Sequence, residues 1–216
     1  MYRDKISAYI DAHRREMIED IFTLCRIESD KQPYQAGMPF GPGCYQVLNA
    51  AMAMAEKYGF SISNYDNYVG CADLNDGERQ LDILAHLDVV PAGDGWTVTE
   101  PFEPVEKDGK IYGRGTSDMK GAVAAMACAA ANYAKATNKD FAGEIYVAGV
   151  VHEECFEGVA AREISAYVKP DYVVIGEASQ LNLKIGQRGR AEIVVETFGK
   201  PCHSANPEKG INAVYK

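Results

Sequence analysis

The residues best suited to chemistry follow an apolar run in the segment from Leu81 to Trp96. The run is typical of a buried strand, and it ends in His86 and Asp88 just before a turn rich in proline and glycine. Side chains two residues apart point to the same side of a strand, so this imidazole and carboxylate can meet one environment. His86 can offer one ring nitrogen to a metal, with Asp88 as the acceptor that fixes the other. The alternative is a histidine and an aspartate in a surface loop.

A second polar cluster contains Asp118, within the glycine-rich segment 113–121 that precedes an alanine-rich helix. Aspartate is favoured at the N-cap of a helix, so Asp118 can be a simple cap. The surrounding glycines allow close approach of the backbone and favour a ligand that bridges two metals.

Two adjacent carboxylates, Glu153 and Glu154, follow a very apolar strand, and Glu177 follows the next one. Neighbouring carboxylates repel each other, so a cation is expected beside them. Adjacent side chains point in different directions, and one glutamate can bind metal while the other acts as general base. A solvated acidic turn is the alternative.

Histidine, aspartate and glutamate at the ends of elements are the ligands that divalent metals prefer. The pattern therefore predicts a hydrolase with two divalent ions, zinc first, with cobalt and manganese also accepted by such ligands. His203 lies in a turn-rich loop further on, where it can stabilise an oxyanion or hold a substrate carboxylate. An ordinary surface histidine is the alternative for His203.

The elements that must position these residues alternate between strand and helix. Apolar spacing predicts helices over 4–27, 120–136 and 158–167, a further helix that ends at Gly59, and strands over 61–65, 68–72, 81–86, 144–151 and 172–175. This rhythm predicts an α/β fold, in which helices flank a mostly parallel sheet. Each metal-type residue before position 180 then falls where a strand ends or a helix begins, the expected place for a ligand site in an open α/β sheet.

The pattern changes after Ser179. Residues 184–200 favour strands, and a new helix is predicted to start at Glu208, shortly before the sequence stops. We therefore expect a catalytic domain over 1–182 and the beginning of an α+β lid or dimerisation domain over 183–216. An amphipathic helix cut after so few residues has nothing to pack against, so the chain is interpreted as a truncated piece of a longer protein.

The composition limits the partners. The formal net charge of -9 argues against nucleic acid or an anionic membrane as a partner, and no apolar run is long enough to span a bilayer. Six scattered cysteines without a C-x-x-C pair are typical of reduced thiols in a cytoplasmic protein.

Taken in order, the motifs resemble a family of metallopeptidases and deacylases that includes aminoacylase, acetylornithine deacetylase, succinyl-diaminopimelate desuccinylase and carboxypeptidase G. The resemblance covers essentially the whole chain, and its motifs are His86-Leu-Asp88, Gly113-Arg-Gly-Thr-Ser-Asp118-Met-Lys-Gly121, Glu153-Glu154, Gly176-Glu177 and His203-Ser-Ala. The N-terminal half is most similar to Xaa-His (carnosinase-like) dipeptidases, whereas Gly186-Gln-Arg-Gly-Arg190 is more similar to the deacetylase branch.

This resemblance implies a role for each matching residue. His86 and Glu177 would bind one zinc ion and Glu154 the second, with Asp118 bridging the two. Glu153 would be the general base and Asp88 would orient His86. His203 would be the lid-domain histidine that reaches the active site of the partner subunit in a homodimer of the full-length protein. The family's last histidine ligand has no counterpart, because no histidine follows His203.

The implied function is hydrolysis of an amide bond in a dipeptide or an N-acyl amino acid, by a metal-activated water with Glu153 as base. This chain alone is expected to be inactive because it is truncated. The alternative is a non-catalytic module that binds a metal or small molecule through an incomplete site.

Overall fold

A mixed β-sheet with helices on both faces forms the first part of the protein. The computed structural model describes residues 2–75, 77–139, 141, 143–155, 158–186, 188–189, 191 and 193–215. The chain divides into two compact units, Met1–Gln180 and Leu181–Lys216.

All the regular helices and strands lie in the first unit, within the part of the chain that is described. The helices are α1 (Tyr2–Cys25), α2 (Pro42–Lys57), α3 (Lys120–Ala136) and α4 (Gly158–Ile164). The strands are β1 (Ser61–Tyr65), β2 (Val69–Leu74), β3 (Arg79–His86), β4 (Val105–Lys107), β5 (Lys110–Tyr112), β6 (Gly143–Val150) and β7 (Tyr172–Ile175).

Five strands form the main sheet, in the order β1-β2-β6-β3-β7. The pairs β1–β2 and β2–β6 are antiparallel, whereas β6–β3 and β3–β7 are parallel. The predicted helix-flanked α/β fold is confirmed, and the sheet is mixed because β1 and β2 form an antiparallel hairpin at one side. Its parallel part is the part that carries the polar strand ends.

The parallel register brings three chain segments out at one edge of the sheet. His86, the last residue of β3, is paired with Val150, the last residue of β6. On the other side of β3, Leu84 is paired with Ile175 at the end of β7. The segments that follow β6 and β7 therefore leave the sheet close to His86.

One face of the sheet is covered by α2 and α3, with α1 packed against α3. The small side chains of α3 allow close packing, since Ala124, Ala127 and Ala131 are all fully or almost fully buried. This close packing holds the first turn of α3, and the loop before it, against the strand ends.

The other face of the sheet packs against α4. Alternate residues of β2 and β6, including Val69 and Ala148, join Ala160 and Ile164 of α4 in a second apolar cluster. Since the central strands are buried on both faces, they appear as nearly continuous apolar runs in the sequence.

A short hairpin, β4–β5, was not predicted. Its two-residue turn, Asp108-Gly109, has positive φ angles of 52° and 70°. Asp-Gly is a recognised signal for such a turn, but the two strands have only three residues each, too few for a clear alternation.

The second unit differs from the predicted pattern. Its described residues in the range 184–199 form no strand, and residues 187, 190 and 192 lie outside the described part. At the position of the predicted helix start there is a short 3-10 helix, Pro207–Lys209, and an isolated bridge pairs Lys200 with Ile211.

The six cysteines are free thiols, and Cys25, Cys44, Cys71 and Cys128 are buried. Burial raises the pKa of Cys25 to about 11 and that of Cys71 to about 12, which keeps these thiols protonated. None of the described helices has both the length and the apolar character that crossing a membrane requires.

Asp82, on the buried part of β3, yields a prediction for stability. Its Oδ1 atom has no hydrogen-bond partner within the described part of the chain, and burial raises its pKa to about 6. The unfolded chain has a pKa of about 3.9 for this group, so between about pH 4 and pH 6 the folded state holds a proton that the unfolded state has lost. The contribution of Asp82 to the free energy of unfolding therefore falls as the pH rises through this window.

We expect Asp82→Asn to raise the free energy of unfolding at pH 7, by up to about 3 kcal/mol relative to the original chain, and to have little effect at pH 4. Urea denaturation at a series of pH values measures the difference. Asp94→Asn, at an exposed site, is the control and should show no such pH-dependent gain. An equal effect of Asp82→Asn at both pH values would contradict the prediction.

Candidate metal centre

His86 lies at the centre of the polar cluster. Its side chain is only 2% exposed, and its Nδ1 atom lies 2.9 Å from the main-chain oxygen of Asp88. A carbonyl oxygen can only accept, so Nδ1 donates and, in the neutral ring, Nε2 carries the lone pair. Nε2 lies 3.0 Å from Oδ1 of Asp118, which is also an acceptor. Two acceptors at this distance need a proton or a cation between them.

Asp118 reaches His86 from the loop that precedes α3. The N-cap of α3 is Met119, and no side chain caps this helix end. The alternative interpretation of Asp118 as an N-cap is therefore wrong, because its carboxylate is directed at His86 instead. The peptide bond between Asp118 and Met119 is cis.

Gly121 explains how this loop folds back onto the first turn of α3. A Cβ atom at this position would lie 2.2 Å from the main-chain oxygen of Thr116. Only a glycine allows this approach, so the loop that carries Asp118 is held tightly against the helix.

Glu153 and Glu154 follow β6 in a turn. The Oε2 atom of Glu153 lies 3.8 Å from Nε2 of His86. Both main-chain amides donate to the carboxylate of Asp88, at 3.1 Å from Glu153 and 3.0 Å from Glu154. The turn is therefore connected directly to the end of β3.

Glu177 follows β7, and its Oε1 atom also lies 3.8 Å from Nε2 of His86. The main chain reaches this position because the amide of Gly176 continues the β3–β7 ladder, donating to Leu84 at 2.9 Å.

These side chains form two overlapping groups around His86. The first group contains His86, Glu153 and Glu177, and the second contains His86, Asp118 and Glu154. In each group, one possible metal-binding atom from every residue lies within 4.8 Å of those of the other two. One imidazole and four carboxylates thus come together from four separate segments. This donor set fits divalent metal ions, which would relieve the repulsion among the carboxylates.

The close approach of the carboxylates also shifts the pKa values of His86 and Glu154. Burial raises the pKa of Glu154, and the nearby Asp118 carboxylate raises it further. Burial alone would lower the pKa of His86, but the carboxylates of Asp88, Glu153 and Glu177 raise it above its ordinary value. The site therefore attracts positive charge.

The position of Asp88 differs in detail from the expectation that its carboxylate orients His86. The main-chain oxygen of Asp88 makes the short contact with the imidazole, whereas its Oδ1 atom is 3.7 Å from Nδ1. Burial raises the pKa of this carboxyl group, while the His86 ring and the amides of Glu153 and Glu154 act to lower it.

His203 lies in the second unit, on an exposed turn. Its Nδ1 atom accepts a hydrogen bond from the amide of Ala205 at 3.2 Å. The neutral ring then carries its proton on Nε2, which makes Nε2 a hydrogen-bond donor.

Two supporting residues were missed by the sequence analysis. Lys120 is completely buried at the start of α3, where its ammonium donates to the main-chain oxygen of Ile27 at 2.8 Å, and burial lowers its pKa to about 8. A lysine in the first turn of a helix opposes the helix dipole, and this was the available signal. Ser29, also fully buried, donates to the main-chain oxygen of Leu87 at 2.8 Å, and nothing in its local sequence distinguishes it from a loop serine.

Comparison with known proteins finds relatives named as a dipeptidase and as a desuccinylase. The chain is 42% identical over 123 residues to a putative dipeptidase of Staphylococcus saprophyticus, a match that covers 56% of this chain and 25% of that protein. It is 38% identical over 151 residues to a succinyl-diaminopimelate desuccinylase of Nitratiruptor, covering 65% of this chain and 40% of the relative. The chain thus spans less than half the length of these curated relatives.

Among solved structures, human carnosine dipeptidase 1 superposes with a TM-score of 0.66 at 28% identity, over 80% of this chain and 40% of that one. The model of peptidase family M20/M25/M40 matches residues 83–214, which include every polar strand end described above. The match extends over more than half of the sequence, and we conclude that the chain belongs to peptidase family M20/M25/M40.

Proposed function

We propose that this chain carries the metal-binding machinery of a hydrolase that cleaves the amide bond of a dipeptide or an N-acyl amino acid. The observation that supports it most directly is the convergence of His86 with Asp118, Glu153, Glu154 and Glu177. The names of the relatives point the same way, because a dipeptidase and a desuccinylase both break an amide bond next to an amino acid.

In this proposal two divalent ions, zinc first and cobalt or manganese as alternatives, are held by His86, Asp118, Glu154 and Glu177. His86 and Glu177 would hold one ion and Glu154 the other. Asp118 would serve both ions, and its carboxylate lies in the group that contains both His86 and Glu154. When bound, the ions would polarise the substrate carbonyl and lower the pKa of a water molecule.

Glu153 is the proposed general base. Its carboxylate is about one quarter exposed, so it faces both the cluster and the solvent from which substrate arrives. It takes the proton of the attacking water and later gives that proton to the leaving amine, as a single carboxylate can do for both steps. His203 is the proposed substrate-binding residue, acting in the active site of the partner subunit in a full-length homodimer, where its Nε2–H group would donate to the negative charge that develops on the carbonyl oxygen.

Further expectations remain predictions of the proposal. They are a catalytic domain over 1–182 with a lid or dimerisation domain from 183, a homodimer of the full-length protein, and a cytoplasmic location. Analytical ultracentrifugation of the full-length protein tests the dimer.

The first prediction of the proposed function concerns metal binding. We expect zinc to raise the unfolding temperature of chelator-treated chain, because an ion at a thousand-fold excess over its Kd stabilises the native state by about 4 kcal/mol. His86→Ala and Asp118→Asn should each lose most of this shift and most of the bound metal. Differential scanning fluorimetry and elemental analysis measure the two quantities.

The control for the metal prediction is Asp94→Asn, which changes an exposed acidic residue outside the cluster. It should keep both the temperature shift and the metal content. A His86→Ala chain that still bound the full amount of zinc would show that the metal site lies elsewhere.

The second prediction concerns Glu153. Glu153→Gln keeps the size of the side chain but cannot take a proton, so kcat in the full-length protein should fall by about 10³-fold. KM and metal content should change little, because Glu153 is not assigned as a metal ligand. Steady-state kinetics with dipeptides and N-acyl amino acids, with added zinc, give the comparison.

Glu56→Gln, on the exposed side of α2, is the matched control and should leave kcat unchanged. Retention of most activity by Glu153→Gln would remove Glu153 from its proposed role. A full-length protein that binds two metal ions but cleaves neither class of substrate would instead favour the alternative, a non-catalytic binding module.

A further inference from the structure

The carboxylate of Asp88 is buried and makes two hydrogen bonds to main-chain amides. Its Oδ1 atom accepts from the amide of Glu153 at 3.1 Å, and its Oδ2 atom accepts from the amide of Glu154 at 3.0 Å. The 3.7 Å distance from Oδ1 to Nδ1 of His86 is too long for a hydrogen bond. Both carboxylate oxygens are therefore directed at the Glu153–Glu154 turn.

The His86 ring is oriented by the main-chain oxygen of Asp88 and not by the Asp88 carboxylate. Its Nδ1 donates to the main-chain oxygen of Asp88 at 2.9 Å, a contact that any residue at this position can provide. The tautomer of His86 therefore does not depend on the side chain of Asp88.

The segment around Asp88 is itself firmly held. The Oγ atom of Ser29 donates to Leu87, and the amide of Val89 donates back to the main-chain oxygen of Ser29 at 3.2 Å. The amide of Leu87 also donates to the main-chain oxygen of Val150 at 2.8 Å, which extends the β3–β6 ladder by one bond. Asp88 is thus a fixed point from which a carboxylate can hold a neighbouring turn.

The Glu153–Glu154 turn needs such a restraint. β6 ends at Val150, and two adjacent carboxylates repel each other and the Asp118 carboxylate. The residues before the turn, Val151 and His152, are buried and held by packing, whereas Glu153 and Glu154 point towards the cluster. The two bonds to Asp88 connect their main chain to the segment that follows β3.

We infer that Asp88 is a positioning residue for the Glu153–Glu154 turn. Its carboxylate positions the general base and one metal ligand together, through their main-chain amides, whereas the His86 ring is oriented by the main-chain oxygen of Asp88. The roles of the two glutamates in this inference rest on the proposed function, whereas the contact itself does not. A displacement of about 1 Å at a reacting group can lower a rate about 10²-fold, so a restraint of this kind affects catalysis strongly.

The contact can be tested first in the original zinc-loaded chain. Through-hydrogen-bond NMR couplings should connect the amide nitrogens of both Glu153 and Glu154 to the side-chain carboxyl carbon of Asp88. Absence of both couplings from an otherwise assigned spectrum would overturn the inference, whether or not the protein is an enzyme.

The second test uses Asp88→Asn. The new side chain keeps one acceptor oxygen but places an NH₂ group opposite the other amide, so one bond is replaced by a contact between two donors. We expect hydrogen exchange at Glu153 or Glu154 to become at least about 10-fold faster, while the ¹⁵N shifts of His86 still show a proton on Nδ1. In the full-length protein kcat should fall about 10²-fold, with KM within about 3-fold of the original value.

Asp82→Asn is the matched control, since it makes the same change at a buried position within β3, outside the cluster. It should not speed exchange at Glu153 or Glu154, because its expected effect is a gain in stability. If Asp88→Asn altered the tautomer of His86 and left these exchange rates unchanged, Asp88 would act through His86 and the inference would be wrong.

Failure of the proposed function has a different signature. In that case the couplings to Asp88 would be present, but the full-length protein would cleave neither class of substrate.

If Asp88→Asn prevents folding, Ser29→Ala is the replacement variant. Loss of the Ser29 Oγ bond to Leu87 should speed hydrogen exchange at the amides of Glu153 and Glu154, by a smaller factor. Unchanged exchange rates, together with absent NMR couplings to Asp88, would reject the inference.

Discussion

The parallel pairing of β3 with β6 and β7 is the constraint on which the rest of the structure depends. It aligns the ends of three strands at one edge of the sheet, where His86, Glu153 and Glu177 emerge together. A shift of either neighbour by one residue would turn its side chains to the opposite face. The apolar faces covered by α3 and α4 prevent such a shift, because it would expose buried residues of the strands.

The same edge concentrates negative charge in a partly buried place. Such an arrangement opposes folding unless positive charge is bound, because burial and mutual repulsion both favour the protonated carboxyl groups. The raised pKa values of Glu154 and Asp88 have burial as their largest cause. The crowded carboxylates that would bind a cation therefore lower the stability of the folded chain when no cation is bound.

Much of the first unit could be predicted from the sequence. The strands at 61–65 and 172–175 and the helix at 120–136 agree with the structure residue for residue, because turn-forming residues directly follow each of them. The hairpin of β4 and β5 was missed because its strands are too short to show a period. The strands expected in 184–200 are absent from the described residues of that range, where the pairing seen is limited to the isolated bridge of Lys200 with Ile211.

The sequence by itself determined which residues carry chemistry. Polar side chains at the ends of apolar runs, or just before a helix, can be recognised by residue type and position, as for His86, Asp118 and Glu177. Their order along the chain adds the resemblance to a metallopeptidase family. Only the tertiary structure decided which atoms meet. The expectation that the Asp88 side chain orients His86 placed the right residue at the site, but the fold directs the main-chain oxygen to the imidazole and the carboxylate to two amides sixty-five and sixty-six residues away. The physical reason is that hydrogen bonds between distant segments depend on strand register and packing, which no local pattern of residues records.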